Sequence, residues 1–188
     1  TARSRGLGDV YKRQGHYYPP PEPVPHFINK KFEEIYSVKR VHVIVNPFAG
    51  KKKGRDLASL IVAELDQSRI NSSIHFTEHV NHAEELVNRL EFTEGDVLMS
   101  VGGDGTISEI ITGLFNRNDS YSDIIPLSIV PAGSGNSQAN DMQITDYLDS
   151  LQRLNSGKLR KMDIGKVTFF DDGTKRVRYT HNLVGWGC

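Results

Sequence analysis

The sequence predicts a three-layer α/β/α domain built on a parallel sheet, followed by the start of a truncated antiparallel β lobe. Three observations carry that prediction. Between Val41 and Leu154, short β-branched runs alternate with stretches of helical periodicity, the order that folds as a parallel sheet covered on both faces. Two of the apolar runs end in small-residue loops, Gly102-Gly103-Asp104-Gly105-Thr106 and Pro131-Ala132-Gly133-Ser134-Gly135-Asn136. After Gly157 the alternation gives way to consecutive strand-like runs around Asp171-Asp172-Gly173, a hairpin signature.

The elements follow in order. Val41 to Val45 is a β-branched strand, and Gly54 to Gln67 places Leu57, Leu60, Ile61 and Leu65 at helical spacing. Ser73 to Thr77 is a short strand, and Ala83, Leu86, Val87 and Leu90 mark the apolar face of the next helix, with Asn81 as its N-cap. Strand Val97 to Val101 leads to a helix from Ile107 to Asn116. Strand Leu127 to Val130 leads to helical segments from Ser137 and from Thr145 to Leu154. Met162 to Val167, Thr168 to Phe170 and Arg176 to Thr180 are then successive strands of a second lobe.

Domain boundaries are expected at 1–40, 41–157 and 158–188. Thr1 to Gln14 is mixed, basic and unpatterned, and Gly6 to Gln14 resembles a translated adapter scar. Tyr17 to Pro25 holds five prolines, a linker composition. The apolar run Asn182 to Cys188 looks like a strand cut short, so the chain reads as a fragment whose first lobe closes its own core. With 23 basic and 23 acidic residues among 188, it lacks the basic excess of a nucleic-acid protein. Its one cysteine, Cys188, allows no internal disulfide and suits a reducing compartment. No run reaches the roughly 18 apolar residues of a membrane span. A cytoplasmic protein, at most peripheral to a membrane, is expected.

A strand entering a glycine turn and then a helix converges backbone N–H groups and a helix N-terminus on one point, which suits phosphate oxygens. Asp104 in that turn would repel a bare phosphate. Its carboxylate is therefore a candidate metal partner or proton acceptor for an attacking hydroxyl, with a helix cap as the plain alternative. The second loop lies on the next strand, so both face the edge where open α/β sheets bind ligands. The first strand adds Asn46-Pro47-Phe48-Ala49-Gly50-Lys51-Lys52-Lys53-Gly54, whose lysines can neutralise a triphosphate or simply form a solvated turn. That loop lacks the Gly-Lys-Ser/Thr ending of a Walker A motif, and neither glycine loop has the third glycine of a dinucleotide fingerprint. Glu109 can orient a catalytic group or metal, or be exposed helix charge. His75, His79 and His82 fall on a strand, a loop and a helix start, a distribution that disfavours a metal site.

Together these loops resemble the catalytic domain shared by diacylglycerol kinases, sphingosine kinases and bacterial lipid kinases, from Val41 to the end of the chain. The anchors are Asn46-Pro47, Gly102 to Thr106, Glu109, Gly113-Leu114 and Pro131 to Asn136. Sphingosine kinases are nearest in look, through the Pro-Ala-Gly-Ser-Gly-Asn loop and through Thr77-Glu78 followed by Asn81 to Val87. Gly102 and Thr106 depart, standing where those enzymes usually carry serine and a bulky apolar residue. The family's acidic motif for a sphingoid amine is expected beyond Cys188.

The resemblance implies ATP held by Asn46, Pro47, Gly50, Thr77, Gly102, Gly103, Gly105, Thr106, Pro131, Gly133, Ser134, Gly135 and Asn136. It implies catalytic roles for Asp104 and Glu109, with Asp104 as base for a lipid hydroxyl or partner of Mg²⁺. The product would be a phosphorylated sphingoid base, with diacylglycerol as the alternative substrate, made at a membrane surface, and this stretch alone would have little activity. An NAD kinase, which shares the Gly-Gly-Asp-Gly-Thr loop, and a non-catalytic nucleotide-binding module compete with that reading. Asn46-Pro47 and the second loop favour the lipid branch, and an intact Asp104 favours an enzyme.

Overall fold

A computed structural model describes residues 35–52, 54–117, 119 and 125–182, Lys51 by its backbone alone. The expected scar, the proline-rich linker, Lys53 and the apolar run after Asn182, Cys188 included, lie outside the described residues.

The described chain runs β1 (Arg40–Val45), α1 (Ala49–Lys52), α2 (Gly54–Gln67), β2 (Asn71–Phe76), α3 (His82–Arg89), β3 (Asp96–Gly102) and α4 (Asp104–Asn116). It continues through β4 (Leu127–Pro131), α5 (Ser137–Asp141), α6 (Tyr147–Ser156), β5 (Gly165–Asp171) and β6 (Thr174–Thr180). The first four strands form one parallel sheet in the order β2-β1-β3-β4.

Alternation along the strands builds the layers. Val41, Val43 and Val45 of β1, with Val97, Met99 and Val101 of β3, pack on Ala58, Ile61 and Leu65 of α2 and on Leu151 and Leu154 of α6. Ile44 and Leu98 point the other way, onto Ala83 and Val87 of α3 and Ile110 and Leu114 of α4. Every residue of β3 is buried, as expected of a parallel strand covered on both faces. Each fully buried Ile or Leu side chain contributes about 1.5–3 kcal/mol of transfer free energy. Gly113 lets α4 approach α3 closely, since a Cβ there would lie 2.9 Å from the Glu84 carbonyl oxygen.

Ordered packing begins before the expected boundary at Val41. Tyr36 and Val38 pack against the α2 side of the core, and the Tyr36 hydroxyl donates to the Asp96 carbonyl oxygen at 3.0 Å. At this end of the sheet the buried Asp96 carboxylate accepts from Arg40 Nε at 2.9 Å and from the Thr93 N–H at 2.7 Å.

The expected run of short strands after Gly157 is one hairpin. β5 is continuous where two segments were expected, and it pairs antiparallel with β6 from Gly165↔Thr180 to Asp171↔Thr174. Asp172 and Gly173 turn it with φ of 47° and 76°, the double positive φ of a type I′ turn. β6 docks on α4: Ser108 Oγ donates to the Tyr179 carbonyl oxygen at 3.1 Å, and the Tyr179 N–H donates to Thr112 Oγ1 at 3.3 Å. The Phe115 and Tyr179 rings stack at 4.7 Å.

Candidate active site

The strand order fixes where a ligand can sit. From β1 the chain goes outward to β2, then returns to the other side of β1 to make β3 and β4, so the turns diverge between β1 and β3. At that point a parallel sheet leaves a crevice beyond its carboxyl ends. A cleft of ≈ 620 Å³ opens there, lined by Asn46, Phe48, Ala49, Gly50, Gly103, Gly105, Thr106, Gly133 and Ser134. Its size is in the range of ordinary ligand pockets.

Each wall is shaped by its own backbone. After β1, the Asn46 N–H donates to the Val101 carbonyl oxygen at 2.9 Å, and Asn46 Oδ1 accepts from the Phe48 N–H at 3.0 Å. After β3, Gly103 stands as N-cap of α4 with φ −104° and ψ −171°. After β4, the Ala132 N–H donates to the Gly102 carbonyl oxygen at 2.9 Å. The Asn136 side chain closes that last turn, accepting from the Gly133 N–H at 2.7 Å and donating to the Gly133 carbonyl oxygen at 2.9 Å.

Asp104, between two lining glycines, is the first residue of α4 and yet caps a different helix. Its Oδ2 accepts from the Ser137 N–H at 2.9 Å and its Oδ1 from the Gln138 N–H at 3.0 Å, both in the first turn of α5. Burial opposes ionisation of this carboxyl, but the two α5 N–H groups, attraction to His181 and the Ser137 hydroxyl together hold its pKa below the ordinary aspartate value. The His181 ring, 1 % exposed, places Nε2 3.8 Å from Asp104 Oδ1. Among the described residues, neither of its nitrogens has a hydrogen-bond partner. Burial lowers the pKa of that imidazole, against the attraction of the Asp104 carboxylate.

Of the expected site residues, Asn46, Gly50, Gly103, Gly105, Thr106, Gly133 and Ser134 line the cleft. Gly102 and Pro131 pair across β3 and β4 as the last residues of those strands, and Pro47 follows Asn46 into α1. Gly135 faces Asp104, since a Cβ there would lie 3.5 Å from Oδ2. Thr77 is buried at the end of β2, its N–H bonded to the Val45 carbonyl oxygen at 2.8 Å, and is not among the lining residues.

Glu109 goes elsewhere. Its carboxylate accepts from the Asn81 N–H at 2.9 Å and the Ala83 N–H at 3.2 Å, so it caps α3 where a role beside Asp104 was expected. A five-residue offset turns its side chain well away from Asp104 around the helix. Asn81 holds the N-cap position with φ 67° but makes no side-chain cap bond. Its Oδ1 instead accepts from Arg178 Nη2 at 3.0 Å.

One ligand atom from each of His79, His82 and Glu85 lies within 4.8 Å of the others. The two rings, however, stack at 4.5 Å with planes 9° apart, so their in-plane lone pairs run side by side without converging on an ion. His82 Nδ1 also accepts the Glu78 N–H at 3.0 Å, which leaves a protonated Nε2 on the neutral ring.

Sequence reasoning missed Phe48 and Ala49 as lining residues, and His181. Phe48 carried a usable signal, a lone aromatic in a glycine- and lysine-rich turn. His181 carried none, because its place beside Asp104 exists only once β6 has docked on α4.

The sequence matches the family model described as diacylglycerol kinase catalytic domain over residues 40–167. Sphingosine kinase 1 of Arabidopsis thaliana is 30% identical over 159 residues, which are 79% of this chain and 31% of that protein. A diacylglycerol kinase of Staphylococcus saprophyticus is 29% identical over 150 residues, 79% of this chain and 45% of that protein. A crystal structure of a diacylglycerol kinase from Bacillus anthracis superposes with a TM-score of 0.55 at 23% identity, over 73% of this chain and 47% of that one. The chain thus spans about a third to a half of the length of these relatives. With the family's domain matched from β1 into β5 and its fold present, the chain belongs to the diacylglycerol kinase catalytic domain family.

Proposed function

We propose that this chain is the ATP-binding part of a lipid kinase that transfers the γ-phosphate of ATP to a hydroxyl of a sphingoid base. The observation that carries the proposal is the convergence of three turns on one cleft with an ionised Asp104 between two lining glycines. The N–H groups of the Gly103 to Thr106 turn, at the α4 N-terminus, favour phosphate oxygens. Phe48, 66% exposed beside the cleft, offers a flat face to the adenine ring.

Asp104 fits Mg²⁺ as well. A magnesium ion is usually held by one or two carboxylates together with substrate phosphates and water, and Asp104 presents an ionised carboxylate between two glycines that line the cleft. Bound there, the ion would neutralise phosphate charge. The hydroxyl oxygen of the lipid forms the new O–P bond as the bond to ADP breaks, and its proton passes to Asp104. Phosphoryl transfer depends mainly on positioning and charge neutralisation, so a carboxylate of lowered pKa is adequate for that task.

The sphingoid base is favoured by the Pro131 to Asn136 loop, by the Thr77 to Val87 segment and by the similarity to a sphingosine kinase. The departure at Gly102 and Thr106 has a local explanation: a Cβ on Gly102 would lie 2.4 Å from Thr106 Oγ1. These two residues are a packing pair inside the turn and carry little information about the lipid. Among the described residues no helix is long and apolar enough to cross a membrane, and the lipid is proposed to be met at a membrane surface from the cytoplasmic side. The test presents a sphingoid base and diacylglycerol in mixed micelles with labelled ATP to the full-length protein. Preferential labelling of the sphingoid base is expected. Preferential labelling of diacylglycerol moves the substrate assignment, and ATP binding without labelling of either lipid leaves a nucleotide-binding module.

A further inference from the structure

We propose that His181 is a positioning residue for Asp104: its imidazole N–H donates to Asp104 Oδ1, tying the end of β6 to the catalytic turn and fixing the orientation of the carboxylate toward the acceptor hydroxyl. The proposal rests on the catalytic reading of Asp104 given above.

One face of α4 reads β6 in register. Thr112 takes the Tyr179 N–H, Ser108 bonds the Tyr179 carbonyl oxygen, and Asp104, one further turn toward the helix start, meets His181. Residues four apart on a helix share a face, so the same stripe that docks the strand delivers the imidazole to the carboxylate. The Phe115–Tyr179 stack at 4.7 Å and the Arg178–Glu84 ion pair at 2.6 Å fix the strand from both sides. His181 is thereby held in place by several independent contacts on the two residues before Thr180.

Its environment is anomalous. A buried polar side chain is nearly always hydrogen-bonded, yet among the described residues both nitrogens of this ring lack a partner. The carboxylate oxygen 3.8 Å away is beyond hydrogen-bond range by less than 1 Å. A small closure of β6 toward α4 forms the bond. Oδ1 would then accept from both Gln138 and His181 while Oδ2 accepts from the Ser137 N–H, so that both carboxylate oxygens are held by fixed donors.

Two substitutions and one spectroscopic measurement test this. In the full-length protein, His181→Phe keeps the ring volume and removes the donor, and kcat should fall about tenfold to a hundredfold with ATP affinity and melting temperature unchanged. His181→Gln, which restores an N–H at similar reach, should recover most of the loss. Unchanged kcat in His181→Phe, or a Gln variant no better than Phe, overturns the proposal. On the 188-residue chain itself, the His181 ring ¹⁵N resonances should show a hydrogen-bonded Nε2–H in the ATP complex that is lost in Asp104→Asn. If no form of the protein phosphorylates a lipid, the kinase reading has failed, and the ring resonances alone then decide: a response to Asp104→Asn supports the contact, and its absence overturns it.

Discussion

A Cβ placed on Gly133 would lie 2.4 Å from the Cα of Gly103, so the turns leaving β3 and β4 meet backbone to backbone. Only residues without side chains allow this, and the contact brings two sets of N–H groups to one wall of the cleft. Gly133→Ala should force the turns apart, lowering ATP affinity at least tenfold and stability by about 1–3 kcal/mol. Calorimetry and thermal melting check the two effects together, and a variant with native affinity would show that the turns act separately.

Asp104→Asn should cost turnover far more than nucleotide affinity. An amide offers one acceptor oxygen to the two α5 N–H groups that the carboxylate now satisfies, so a loss of about 1 kcal/mol in stability is expected. Without a proton acceptor, kcat should fall by about 10²–10⁴. Near-normal turnover in the folded variant would reduce Asp104 to the cap of α5.

Glu109 should behave as a cap. Its two bonds to the Asn81 and Ala83 N–H groups predict that Glu109→Ala lowers stability by about 1–2 kcal/mol and leaves ATP affinity within a few fold. A collapse of turnover at native stability would return Glu109 to the catalytic machinery.

The fold was legible wherever apolar periodicity was local. Helix Gly54–Gln67 and the alternation of strands and helices followed from spacing alone. β2 starts at Asn71, earlier than its apolar residues suggest, because this edge strand is only half-buried. α4 starts at Asp104, ahead of Ile107, because Gly105 in its first turn is a poor helix former that the strand-to-helix turn overrides. The cleft was legible for a related reason: its walls are three short turns, each complete in a few residues. What sequence could not show were pairings made across the fold, in which Asp104 caps α5, Glu109 caps α3 and His181 reaches Asp104.

Acid stability should report on Asp96 at the opposite end of the sheet. Burial opposes its ionisation, but the Arg40 hydrogen bond, the Thr93 N–H and attraction to Arg40 hold its pKa down to about 2. A carboxyl with a depressed folded pKa stabilises fully above its unfolded value of about 3.9 and loses that contribution as pH falls through the folded value. About 2 kcal/mol should therefore disappear between roughly pH 4 and pH 2. Denaturant melts of the wild type and Asp96→Asn across that range check it, since the variant should lack this part of the acid slope.

The claim on which the rest depends is that the three turns form an ATP site. Gly105 lines the cleft, and a Cβ there would meet no atom within 4 Å, so Gly105→Asp can be accommodated while placing bulk and negative charge where phosphate is expected. Titration calorimetry of ATP into the chain should give one-site binding for the wild type and none for a Gly105→Asp variant whose melting curve is native-like. Equal affinity in the two proteins would contradict the account.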